Sequence, residues 1–189
     1  SQDDLNFDWD DFTTRINSEL IGNLGNFVNR ALGFTKKAFD GKIPEITSFD
    51  DKDSEAEQKI KSLSSDVGSL MEQNHLDRAL KKILEFSSFF NQYFQHQEPW
   101  KKGPGTENCV FLSVNAVRCL AIAIFSFMPE SAQKIWTQLG LNGNVSEITW
   151  DDVSLLDMKS GHTLGDASPL FARVEESEIK EYKKQLGPS

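Results

Sequence analysis

Between Glu107 and Phe127 the chain sets Val110, Leu112, Val114, Val117, Leu120, Ile122, Ile124 and Phe127 on most sides of one helical segment. A helix that is apolar nearly all round has to be enclosed by other elements. This segment therefore predicts a central core helix, and with it a helical bundle rather than a sheet. The rest of the chain supplies the enclosing pieces. From Trp9 to about Phe39, Ile16, Leu20, Leu24, Phe27, Val28, Ala31 and Leu32 recur at three- and four-residue steps, as on an amphipathic helix. Gly41-Lys42-Ile43-Pro44 stops it, and Ser48-Phe49-Asp50-Asp51-Lys52-Asp53 offers caps for a second helix carrying Ile60, Leu63, Val67, Leu70 and Met71. After a break at Gln73-Asn74-His75, a third helix runs from Leu76 through Ile83, Leu84, Phe90 and Phe94. It ends at Glu98, because the residue before Pro99 is pushed out of the helical region.

Lys101 to Thr106 reads as loop, and Met128-Pro129 ends the central helix. A short fifth helix with Ala132, Ile135, Trp136 and Leu139 closes on Gly140. Residues 141–172 lack sustained periodicity and are expected to wrap the bundle as loop, with brief extended pieces near Glu147–Trp150 and His162–Gly165. A last helix is expected from Ser177 to Leu186. With 189 residues the chain suits one domain, the bundle occupying about 8–140 and the wrap and last helix 141–189.

Charge and cysteines narrow the function. Twenty Lys and Arg against 29 Asp and Glu leave a net charge of −9, which excludes a general salt-driven grip on nucleic-acid backbone. Any nucleic acid must be read locally. Cys109 and Cys119 are the two cysteines. Ten residues of helix separate them by roughly 15 Å, beyond disulfide reach, which points to a reducing compartment. No stretch of about 18 apolar residues exists, and Ser1-Gln2-Asp3-Asp4 lacks the basic and apolar regions of a signal peptide. A soluble, membrane-free segment of a longer chain is expected.

Catalytic machinery is sparse. There is no phosphate-cradling glycine loop, no Cys-x-x-Cys pair, and three isolated histidines stand at 75, 96 and 162. No metal site is expected, and the cysteines read as small core residues. The acidic run 50–57 and Asp151-Asp152 read as solvated loop and helix-start residues. The central helix offers only Ser113, Asn115, Arg118 and Ser126 as inward polar groups, too few for a small-molecule active site within the bundle.

Two features stand out against this background. Asn17, Asn23, Asn26 and Asn29 crowd into the first helix although Asn is a poor helix former. At about 100° per residue Asn26 and Arg30 stand roughly 40° apart, opposite the apolar face. A carboxamide beside a guanidinium offers several donors and one acceptor, which suits the edge of a nucleobase; two solvated side chains fit the same pattern. Pro99-Trp100 comes next, followed by Lys101-Lys102. An exposed indole beside two ammonium groups is the composition of a platform for an unstacked base, while an indole packed on the next helix fits equally.

Asn17 to Arg30 (NSELIGNLGNFVNR), Asn91-Gln92-Tyr93 leading to Glu98-Pro99-Trp100, and Phe127-Met128-Pro129 with Ile135 to Gly140 resemble the anticodon-binding domain of methionyl-tRNA synthetases. Gly161-His162-Thr163-Leu164-Gly165 through Ser168-Pro169-Leu170-Phe171 is similar to the cytosolic eukaryotic branch. The resemblance implies an all-α, class I aminoacyl-tRNA synthetase anticodon-binding bundle of about five main helices, with an irregular C-terminal wrap and a final short helix. It implies that Trp100 stacks on the first anticodon base of methionine tRNA, read as CAU, with Pro99 beside it. Asn26 and Arg30 would bond that cytosine, and Lys36, Lys37, Lys101 and Lys102 are candidate phosphate contacts. The family's HIGH and KMSKS signatures have no counterpart here. The resemblance therefore implies no ligase activity and no cofactor in this segment, with ATP and methionine bound by a catalytic domain elsewhere in a cytoplasmic parent. The net charge of −9 leads us to expect weak tRNA binding by the domain alone, with most affinity from acceptor-stem contacts of that catalytic domain. Further expected partners are subunits of a synthetase assembly, for which the domain would serve as a helical scaffold in the rival reading.

Overall fold

The computed structural model describes residues 20–166, together with Asp11, Thr14 and Ser18. Among them are five α-helices: α1 (Gly25–Phe39), α2 (Asp51–Glu72), α3 (Leu76–Gln97), α4 (Thr106–Ile124) and α5 (Pro129–Gln138). The expected last helix and the start of the first fall outside the described residues.

Every residue of α4 except Glu107 is buried, and α1, α2, α3 and α5 pack around it. By length and composition α4 would suffice to cross a membrane, a reading the sequence count did not give; 94% of it is enclosed by the bundle. Its polar residues are put to use as clamps. Asn115 Nδ2 donates to Phe111 O and Met158 O, and its Oδ1 accepts from Met158 N. Arg118 donates to Asp152 O at 2.9 Å and Leu155 O at 3.2 Å. Together they fasten the 150–158 stretch to the core. Ser126, expected to point inward, is exposed because the chain leaves α4 at Ile124 and turns before α5.

The caps follow the expected chemistry. Asp50 and Asp53 form a reciprocal capping box at α2, and Pro129 occupies the first position of α5. Two departures are informative. The first helix is not uniformly α: Leu20–Leu24 is a π-turn. There Asn23 faces inward and trades hydrogen bonds with α3. Its backbone carbonyl and its Oδ1 both accept from Asn91 Nδ2, and its Nδ2 donates to Ser88 Oγ. A wide turn loosens the backbone ladder, and an Asn pair is suited to satisfy the carbonyl it frees. The second departure is the wrap. Val145–Glu147 and Trp150–Asp152 are single 3₁₀ turns, so the extended stretch expected near 147–150 is reduced to Ile148 and Thr149. The expected piece near 162–165 is present only as one isolated antiparallel bridge, Thr163 to Lys42, with Leu164 N donating to Gly41 O at 2.8 Å. It runs so close to the end of α5 that a Cβ on Gly165 would lie 2.3 Å from Thr137 O.

Candidate nucleic-acid interface

The outward face of α1 is a narrow polar stripe. Leu24, Phe27, Val28, Ala31 and Leu32 are buried, while Asn26, Asn29, Gly33 and Lys37 are exposed and Arg30 is half-buried. Asn26 has no side-chain hydrogen-bond partner among the described residues, leaving both amide functions to the solvent side. Arg30 is held in place: one terminal nitrogen donates to Gln95 Oε1 at 3.0 Å, and the guanidinium carbon lies 5.0 Å from the centre of the Phe94 ring. Only one of its five N–H donors is thereby engaged by a side chain.

Phe94 is also the neighbour of Trp100, with ring centroids 6.3 Å apart and planes tilted by 44°. Trp100 is 42% exposed: the indole packs against Phe94 of the preceding helix, rather than only on the next one, while much of it meets solvent. The indole sits in the 3₁₀ turn Pro99–Lys101, whose Pro99 is buried. Glu98 (φ 44°) and Lys102 (φ 54°) flank the turn in left-handed backbone. For residues other than glycine this costs roughly 1–2 kcal/mol each, so the turn is held by its surroundings.

The structure thus brings Asn26, Arg30, Pro99 and Trp100 into one region through α1, α3 and the turn between α3 and α4. It does not treat the four lysines alike. Lys37 lies on the exposed stripe of α1 and Lys102 is exposed at the end of the Trp100 turn. Lys101 is tied to Glu98, Nζ to Oε2 2.8 Å, and that ion pair competes with any phosphate. Lys36 is half-buried; burial lowers its pKa, and the charge of Asp166 partly offsets this.

Sequence reasoning missed three groups here. Phe94 reads as an ordinary core residue at helical spacing, yet it supports both Arg30 and Trp100. Gln95 carries no sequence signal beyond its four-residue offset from Asn91. Asp53, expected to be solvated within the acidic run, is 1% exposed. The cause is that Tyr93, Gln97 and Asn108 converge on it from α3 and α4. Among the described residues no group of His, Cys, Asp and Glu could hold a metal ion. Both cysteines are buried and unpaired, and burial pushes each thiol up to about 12.

The family model described as the anticodon-binding domain of methionyl tRNA ligase matches residues 43–189, and one described as class I tRNA synthetases (M) matches residues 1–32. A methionine–tRNA ligase of Methanopyrus kandleri is 36% identical over 97% of this chain and 27% of its own length. The cytoplasmic methionine–tRNA ligase of Caenorhabditis elegans is 34% identical over 98% of this chain and 21% of its own. Among solved structures, the free methionyl-tRNA synthetase of Mycobacterium tuberculosis superposes with a TM-score of 0.78 at 26% identity, covering 89% of this chain and 35% of that one. The chain spans about a quarter of the length of the curated relatives it matches.

Proposed function

The chain belongs to the family of methionyl-tRNA ligase anticodon-binding domains, and from that premise we propose that it reads the CAU anticodon of methionine tRNA. The observation that carries this reading is the shared support of Arg30 and Trp100 by Phe94, beside an unpartnered Asn26. A base splayed out of the anticodon loop would stack on the exposed side of Trp100. Cytosine then presents an amino donor with ring-nitrogen and carbonyl acceptors. The Asn26 oxygen accepts from the amino group while Arg30 donates to the acceptors. Uracil replaces that donor by an acceptor and that acceptor by an N–H, so the same pair repels it. Lys37 and Lys102 hold neighbouring phosphates, and Lys36 and Lys101 contribute less for the reasons given above.

In this reading the domain serves a cytoplasmic, ATP-dependent methionine–tRNA ligase. Its catalytic domain binds ATP and methionine, and the segment described here carries neither cofactor nor ligase chemistry. Titrating the ligase with methionine tRNA and with the same tRNA carrying a changed first anticodon base tests the proposal. Tighter binding of the CAU form is expected. Equal binding of both would refute it, and tRNA-insensitive capture of a synthetase-assembly subunit would favour the scaffold role instead.

A further inference from the structure

Four hydrogen bonds converge on the buried carboxylate of Asp53. Oδ1 accepts from the Tyr93 hydroxyl at 2.5 Å and Gln97 Nε2 at 2.8 Å. Oδ2 accepts from Asp50 N at 3.1 Å and Asn108 Nδ2 at 3.2 Å. An ionised carboxylate has about four acceptor sites, so this one is saturated. A helix-capping role would need only the Asp50 contact, and capping carboxylates ordinarily sit in water. Here the other three donors account for its removal from solvent.

Those donors come from both sides of the turn that bears Trp100. Tyr93 and Gln97 lie in the last two turns of α3, immediately before Glu98. Asn108 lies in the first turn of α4, just after the loop closes at Gly105. Asn108 also accepts from Thr47 N at 2.8 Å and donates to Ser48 O at 3.0 Å, tying in the chain ahead of α2. Thr106 Oγ1 donates to Pro99 O at 3.4 Å across the base of the turn. Within these fastenings sit the two left-handed residues, Glu98 and Lys102. Such conformations persist only where neighbouring contacts over-determine them.

We infer that Asp53 is a positioning residue for Trp100: by drawing Tyr93, Gln97 and Asn108 onto one carboxylate it sets the pose of the Pro99–Lys101 turn, and hence of the indole. The inference rests on the reading of Trp100 as a stacking platform. Without the anchor, the end of α3 and the start of α4 lose their common reference and the turn relaxes toward ordinary backbone.

A double-mutant cycle in the ligase carrying this domain tests it, read as kcat/KM for tRNA charging, with thermal melting on the same proteins. Tyr93→Phe keeps the ring and its edge contact with Phe90 but removes one donor. Asp53→Asn keeps the shape but turns an acceptor into a donor facing other donors. Each is expected to lower charging of methionine tRNA roughly three- to tenfold, through KM for the tRNA. In a Trp100→Ala background the same substitutions should change charging by less than about twofold, because the residue they act through is gone. Equal losses in both backgrounds, or no loss in either, would overturn the inference; should Asp53→Asn fail to fold, Tyr93→Phe decides. Unchanged charging by Trp100→Ala alone would instead overturn the stacking reading itself.

Discussion

If the proposed reading holds, Arg30 is the residue at which base recognition can be told apart from charge attraction. Removing its side chain forfeits an exposed hydrogen bond to Gln95 at 3.0 Å and a guanidinium placed 5.0 Å from the Phe94 ring centre. Each is worth about 0.5–1 kcal/mol at such a site. Arg30→Ala should therefore cost roughly 1–2 kcal/mol of stability, a fall in Tm of about 2–8 °C. A guanidinium fork on a base edge is worth about 1–3 kcal/mol of discrimination, so the preference for cytosine over uracil at the first anticodon position should fall by about 5- to 150-fold. The assay is the ratio of kcat/KM for charging methionine tRNA with CAU and UAU anticodons. Arg30→Lys sharpens the result, since an ammonium keeps the charge but cannot form the fork. If Lys restores the cytosine preference, attraction to phosphate rather than base reading explains Arg30. If Ala leaves the ratio unchanged with the fold intact, Arg30 has no part in the reading site.

Trp100→Ala should weaken binding of methionine tRNA by about 1–3 kcal/mol, whereas Trp100→Phe retains most of it because stacking needs a flat π-face; a phenylalanine as poor as alanine would contradict the platform. The Cys109 and Cys119 thiols, raised by burial to about 12, titrate near 8.5 once unfolded. Their contribution to stability is thus full below about pH 8.5 and is lost as pH rises through about 12. At pH 8 alkylation should follow global unfolding, and rapid labelling of the native protein would contradict this. Arg118→Met leaves Asp152 O and Leu155 O without their donor. It should cost roughly 3 kcal/mol, or about 6–12 °C in Tm, with cytosine preference unchanged. An unaltered melting curve would show that the clamp contributes nothing.

The parts legible in the sequence are those set by local periodicity. The largely apolar, enclosed α4, the outward pair Asn26 and Arg30, and the stop at Glu98-Pro99 follow from angular spacing and from proline sterics, and all stand in the structure. The wheel succeeds for Asn26 and Arg30 because both follow the π-turn; carried back across Leu20–Leu24 it loses phase. What was not legible depends on partners distant in the chain. Asp53 looks like any solvated acid until Tyr93, Gln97 and Asn108, 40 to 55 residues away, are folded against it. The ion pair of Lys101 with Glu98, three residues before it, was hidden as well, because the left-handed backbone at Glu98 leaves no mark in the sequence. The dual role of Phe94 was hidden for the opposite reason, since its spacing already had a sufficient explanation as core.

The two matched segments, 1–32 and 43–189, part near the end of α1, and this divides the proposed reading site. Asn26 and Arg30 lie on one side and Trp100 on the other, yet Phe94 joins them in space. The packing says that α1 belongs to the bundle: Leu24, Phe27, Val28, Ala31 and Leu32 are each at most 3% exposed, against α3 and α4. Burying these five side chains contributes roughly 8–10 kcal/mol, comparable to the whole stability of about 5–15 kcal/mol of an ordinary domain. A chain beginning at residue 43 should therefore lack a cooperative melting transition and expose the apolar flank of α4, where residues 1–189 melt cooperatively. The same truncation should abolish cytosine selectivity. A 43–189 fragment that melts cooperatively near the temperature of the full chain would show that α1 is an appendage, and that the bundle proper begins with α2.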